Sequence, residues 1–136
     1  RTQEQIANIE NGGYLLESYE DPDITIIASG SEVQLVLDAA KELKNDSIKL
    51  NIVSMPSLDK FLEMPEAYQN TILNSDKPIL VVECSQPNSW YKILNRSDKV
   101  LGIESFGESA PGGQLMEHFG FTVSNVIRMA KSLLDD

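Results

Sequence analysis

Five places in this chain carry groups that could do chemistry. Ser29-Gly30-Ser31 follows an apolar run and precedes an amphipathic stretch. A strand feeding a helix N-terminus there would present backbone N–H groups and the positive end of a helix dipole. Gly30 would let a ligand approach the backbone, so Ser29, Gly30 and Ser31 form a candidate anion or phosphate site. An ordinary capped strand-to-helix turn explains the same residues, and neither a Gly-rich fingerprint nor a P-loop lysine accompanies them. Glu83 ends a second apolar run, where α/β proteins often place functional groups. It would serve equally well as an acceptor for a backbone amide. His118 has no second His or Cys at a metal-ligand spacing. Cys84 has no basic neighbour in sequence and reads as a buried thiol. Trp90-Tyr91 could stack on a ligand or a partner, or pack into the core with Ile93 and Leu94. No Gly-x-Ser-x-Gly elbow is present. The residues therefore predict no catalytic set and no metal site.

The elements that must position these groups alternate between strand and helix. Ile24-Thr25-Ile26-Ile27-Ala28 is a β-branched run of the kind that parallel strands show when both faces are covered. Ser29 and Glu32 then match a capping box, which predicts Ser29 as the cap of a helix. Val33, Val36, Leu37, Ala40 and Leu43 make its apolar stripe, and Asn45-Asp46 closes it. Leu50–Met55, Ile79–Cys84 and Val100–Ile103 read as further strands, with a short first strand at Tyr14–Ser18. Ser57 caps a short helix through Leu62, and Pro65 permits another in which Tyr68 and Ile72 face inward. Helices are also expected over Ser89–Leu94 and Pro111–Phe119, with Gly120 ending the second. Thr122 caps a last helix whose stripe is Val123, Val126, Ile127, Ala130, Leu133 and Leu134. Such alternation implies a mainly parallel sheet covered on both sides.

The chain has 136 residues, enough for one domain burying roughly 65–70% of its unfolded surface. Its 21 acidic and 11 basic residues give a net charge of −10, which opposes nucleic-acid phosphate and anionic lipid. No apolar run approaches the ~18 residues of a membrane span. One cysteine cannot form an internal disulfide, which favours a reducing compartment such as the cytoplasm. Residues 1–13 are mostly polar and end in Asn11-Gly12-Gly13, so they read as a linker or short helix entering the domain. The N-terminus carries no Met and no signal-peptide pattern, as expected of a piece of something longer.

Several blocks, in order along nearly the whole chain, resemble the C-terminal domain of bacterial-type transketolases. They are Arg1–Ile9 with Gly12-Gly13-Tyr14, Ala28-Ser29-Gly30-Ser31-Glu32-Val33 and Val53-Ser54-Met55-Pro56-Ser57. Phe106-Gly107-Glu108-Ser109-Ala110-Pro111 and Phe119-Gly120-Phe121-Thr122 with Asn125-Val126 complete the set. Two departures are Ser29 where the family more usually has Thr, and Gly112-Gly113 where better helix formers are expected.

The resemblance implies a three-layer α/β/α sandwich with a mixed, mostly parallel sheet of about five strands, the first antiparallel. It implies residues 1–13 as a linker from an upstream pyrimidine-binding domain and 14–136 as the C-terminal domain. The parent's implied reaction is transfer of a two-carbon ketol unit from a ketose phosphate to an aldose phosphate in the pentose phosphate pathway. The implied cofactors are thiamine diphosphate and a divalent metal such as magnesium. In the family these are held by the other domains, and the substrate-phosphate arginine of a Ser-Arg-Gln motif falls before residue 1, so Arg1 is not that residue. No family catalytic residue maps onto residues 1–136. The implied partners are the other domains of the enzyme and its homodimer mate, with the dimer formed largely elsewhere and the fragment mostly monomeric. Three roles stay open for the domain itself: structural and assembly, regulatory anion binding at residues 29–31, or partner docking as in the pyruvate dehydrogenase β-type subunit, which shares the fold.

Overall fold

The computed structural model describes residues 9–83, 90, 94–95, 98–102, 117 and 120–135. A 3-10 turn, Ile9–Asn11, leads to β1 (Tyr14–Glu17), β2 (Ile24–Ala28), α1 (Glu32–Asn45), β3 (Leu50–Ser54), α2 (Leu58–Glu63), α3 (Glu66–Leu73), β4 (Ile79–Glu83), β5 (Lys99–Gly102) and α4 (Val123–Leu134). The strands form one sheet in the order β1-β3-β2-β4-β5. β2 runs parallel to β3 and β4, β4 runs parallel to β5, and β1 is antiparallel to β3. This is the mixed, five-stranded sheet expected from the sequence.

The centre of the sheet follows from the β2 run. All five of its residues are buried, and β-branched side chains pack well on a pleat covered from both sides. Strand alternation divides them. Ile24, Ile26 and Ala28 join Leu50, Ile52, Leu80 and Val82 on one face, under Val36, Ala40 and Leu43 of α1 and Val126, Ala130 and Leu133 of α4. Ile27, Val53, Ile79 and Val81 form the other face with Phe61 of α2, Ile72 and Leu73 of α3, and Trp90. Among the described residues, two helices thus cover each face. Each fully buried aliphatic or aromatic side chain contributes about 1.5–3 kcal/mol, so the two clusters carry most of the stability.

Two helix starts are as expected. Ser57 accepts the Lys60 amide and Thr122 accepts the Asn125 amide, each hydroxyl satisfying one orphan N–H. At the far end of α1, Lys131 of α4 meets the C-cap Asp46 at 2.7 Å, tying the two helices of one layer. The hydrogen bond from that ammonium to Asp46, and then the carboxylate's charge, hold the Lys131 pKa above its usual range.

The strand ends shift by one residue or so. β1 stops at Glu17 and β5 begins at Lys99; Cys84 and Ile103 lie outside the described residues. So do most of the helices expected over 89–94 and 111–119, and Gly112-Gly113 with them. Within those spans, Glu117 is helical and exposed, and the Gly120 amide, at φ +94°, bonds the Glu117 carbonyl.

Gly12-Gly13 is a packing device as well as a break. Gly12 has φ +88°, and a Cβ there would lie 2.3 Å from the Phe61 nitrogen and 2.4 Å from the Ser57 oxygen. The Gly12 carbonyl accepts the Ser57 amide at 3.0 Å, and the Gly13 carbonyl accepts the Tyr68 hydroxyl at 2.8 Å. The glycine pair therefore lets the incoming chain lie against the start of α2 and against α3.

Two stability changes of opposite sign are expected. Gly12→Ala should cost roughly 2 kcal/mol or more, because it combines a left-handed φ with contact against backbone; an unchanged urea midpoint would contradict the packing described. Thr25 is completely buried and its hydroxyl has no hydrogen bond among the described residues. Thr25→Val keeps the shape and removes an unsatisfied group, so it should stabilise by about 1 kcal/mol in the same assay.

Candidate functional site

The sheet's carboxyl edge gathers the sequence candidates because the topology opens it there. β2 connects through α1 to β3 on one side, and β3 then crosses back past β2 to β4. Neighbouring strand exits therefore diverge, which is where open α/β sheets form their ligand crevice. Ser29, Gly30 and Ser31 leave β2, Met55-Pro56-Ser57 leaves β3, and Glu83 is the last residue of β4.

The turn after β2 is built differently from the predicted capping box. Ser29 is not the cap. Gly30 adopts φ +58° and turns the chain, α1 starts at Glu32, and Ser31 occupies the N-cap position without a side-chain capping bond. The amides of Glu32 and Val33 donate to the carbonyls of Ser29 and Gly30. The Ser29 hydroxyl donates to the Glu83 carboxylate, across two adjacent strands. The Ser31 hydroxyl donates to the Glu32 carboxylate at 2.6 Å, and Glu32 is buried. Both hydroxyls that would have met an anion thus already donate to carboxylates of the chain itself.

Two cavities flank this turn. The smaller, about 220 Å³, lies between the exits of β2, β3 and β4 and is lined by Ser29, Ser57, Asp59, Glu83 and Trp90 among others. The larger, about 680 Å³, lies on the α1 side and includes Tyr14, Leu16, Gly30, Ser31, Val33 and Ser54 in its wall. Among the described residues neither wall contains a Lys, Arg or His. The smaller one carries two carboxylates, so its field repels an added anion. The described residues also hold no group of three His, Cys, Asp or Glu side chains placed to share a metal ion.

The structure thus brings Ser29, Glu83 and Trp90 together around one small cavity. Trp90 is buried in the second core cluster. Cys84, Tyr91 and His118 lie outside the described residues. Sequence reasoning missed Ser54, which alternation along Leu50, Ile52 and Ser54 places on the core face.

Comparison with known proteins decides the family. A sequence profile described as the transketolase-like TK C-terminal domain matches residues 12–122. The chain belongs to the transketolase family, as its C-terminal domain. It is 43% identical to Transketolase 1 of Vibrio parahaemolyticus over 136 residues, which is 98% of this chain and 20% of that protein. Against Transketolase 1 of Pasteurella multocida it is 42% identical over 139 aligned positions, 98% of this chain and 21% of that protein. The solved transketolase of Leishmania mexicana superposes with a TM-score of 0.83 at 35% identity, over 96% of this chain and 19% of that one. The chain therefore spans about a fifth of the length of these transketolases.

If the Ser29–Glu83 bond braces the carboxyl edge, the two residues should be coupled. Ser29→Ala and Glu83→Gln should each cost about 1 kcal/mol, and the double variant should cost less than their sum by a similar amount. A double-mutant cycle by chemical denaturation that gives strict additivity would remove the brace.

Proposed function

We propose that this domain completes a parent enzyme that transfers a two-carbon ketol unit between ketose and aldose phosphates, in the cytoplasmic pentose phosphate pathway. Thiamine diphosphate and a divalent metal such as magnesium are its cofactors. The reading is carried by one observation: similarity to transketolases runs along 98% of this chain at 43% identity. Residues 1–13 are the link from an upstream pyrimidine-binding domain, and 14–136 are the C-terminal domain, with Gly12-Gly13 anchoring the link against α2 and α3.

Within the parent, this domain is a structural and assembly unit that makes and breaks no bonds. The described residues do not fit the cofactor: no cation lines either carboxyl-edge cavity, and no cluster of three potential metal ligands occurs among them. Diphosphate and metal are therefore assigned to the remainder of the parent, and no step of the reaction is routed through this domain. Its partners are the other domains of the same polypeptide and the homodimer mate.

The purified chain, supplied with thiamine diphosphate, magnesium, a ketose phosphate and an aldose phosphate, should show no ketol transfer above a protein-free blank. The same assay on the full-length parent should show turnover. Activity in the chain alone, or none in the parent, would overturn the reading.

A further inference from the structure

The residues that leave β3 meet two other parts of the molecule at once. Met55-Pro56-Ser57-Leu58-Asp59 line the smaller carboxyl-edge cavity, together with Trp90. The same segment receives the entering chain. The Gly12 carbonyl accepts the Ser57 amide at 3.0 Å, and a Cβ on Gly13 would stand 2.5 Å from the Met55 Sδ. The Gly13 carbonyl is held in turn by the Tyr68 hydroxyl at 2.8 Å. The Tyr68 ring tilts against Phe61, with centroids 6.1 Å apart. Ser57 also starts α2: its hydroxyl accepts the Lys60 amide and its carbonyl accepts the Phe61 amide. A displacement of Gly12-Gly13 therefore acts on a helix start and on Met55. Met55 is buried in one cluster with Phe61 and Trp90, and a close-packed interior passes a displacement on instead of absorbing it.

We propose that Gly12-Gly13 is a strap that sets the position of the Met55–Asp59 wall, so that the pose of the entering chain is transmitted to the smaller cavity. Two consecutive carbonyls make the strap, and different elements hold them: the start of α2 takes one and Tyr68 of α3 takes the other. Release of the strap breaks these two bonds and leaves the sheet ladder intact, so it is a local opening that does not require global unfolding. For the parent enzyme the inference rests on reading residues 1–13 as the link from an upstream domain. A change in that domain's pose would then reach the carboxyl edge through Ser57 and Met55. Within this chain the inference stands on the contacts alone.

The test is NMR on the purified chain, with three variants. Tyr68→Phe removes the bond to Gly13 and keeps the ring. It should speed hydrogen exchange of the Ser57 amide roughly fivefold, the loss of one hydrogen bond. Thr122→Ala removes the cap of α4, in the opposite layer, at a similar cost to the whole fold. It should leave Ser57 exchange unchanged. Gly13→Ala sets a methyl against Met55 and keeps the Tyr68 hydroxyl. Trp90 is the chain's single tryptophan, so its indole N–H gives one isolated resonance, and Gly13→Ala should shift it. Three results would each overturn the proposal. Unchanged Ser57 exchange in Tyr68→Phe would mean that Tyr68 does not hold the strap. Equal acceleration in Thr122→Ala would mean that the strap opens only with the whole fold. An unmoved Trp90 resonance in Gly13→Ala would mean that Met55 absorbs the displacement before it reaches the cavity. None of these measurements reads ketol transfer, so their failure leaves the proposed function of the parent standing.

Discussion

The dehydration of β2 is the constraint on which the rest of the structure depends. A strand with five buried residues must have a hydrogen-bonded strand on each side and a layer of side chains above and below. β3 and β4 satisfy the backbone, and both are themselves almost wholly buried. Parallel neighbours require crossovers, and crossovers of one hand place successive helices on opposite faces when the strand order reverses. α1 on one face and α2 with α3 on the other follow from that. α4 then fills what α1 leaves uncovered, and its Thr122 cap fixes where its stripe of Val126, Ala130 and Leu133 begins.

The same reversal opens the carboxyl edge, and local chemistry decides what the opening can hold. Gly30, with no atom within 4 Å of where its Cβ would stand, bends the chain away from β2. This directs the Ser29 hydroxyl sideways to Glu83. The bond closes the gap between two strand exits. Among the described residues, the wall on the α1 side carries no ionisable Lys, Arg, His, Asp or Glu, while the narrower cavity on the other side carries Asp59 and Glu83. One topological event thus yields two environments, separated by a single turn.

The strongly buried elements were legible in the sequence, because burial on two faces leaves continuous β-branched runs and burial on one leaves a helical stripe. The strands read over Ile24–Ala28 and Ile79–Cys84 and the Thr122-capped helix rested on those grounds. Ser29 was misread because a serine three residues before a glutamate specifies a capping box only if the backbone between is ordinary. Gly30 in the left-handed region moved the helix start to Glu32 and turned each hydroxyl to a carboxylate. The Ser29–Glu83 pair spans 54 residues, and no local pattern encodes a contact at that separation. Gly12-Gly13 was legible as a break but not as a close approach, since the backbone it meets, at Ser57 and Phe61, is set by tertiary packing. Ser54 was within reach of alternation alone: a polar residue in register with Leu50 and Ile52 faces the core, whatever the rest of the fold does.

Electrostatics decides which ligands the described part of this edge disfavours. Two unit charges 4 Å apart repel by about 1 kcal/mol in water and about 4 kcal/mol at the effective dielectric of a protein surface. A diphosphate placed in the smaller cavity would face Glu83 and Asp59 with no described cation in the wall to offset them. The chain as a whole, at −10, adds to that penalty. The backbone donors at the start of α1 cannot reverse the balance, since a helix N-terminus contributes about 0.3–1 kcal/mol at an exposed site and the Glu32 and Val33 amides already bond within the turn. The sheet retains the crevice of a ligand-binding α/β fold, but among the described residues the smaller cavity's charges have the sign that repels an anion.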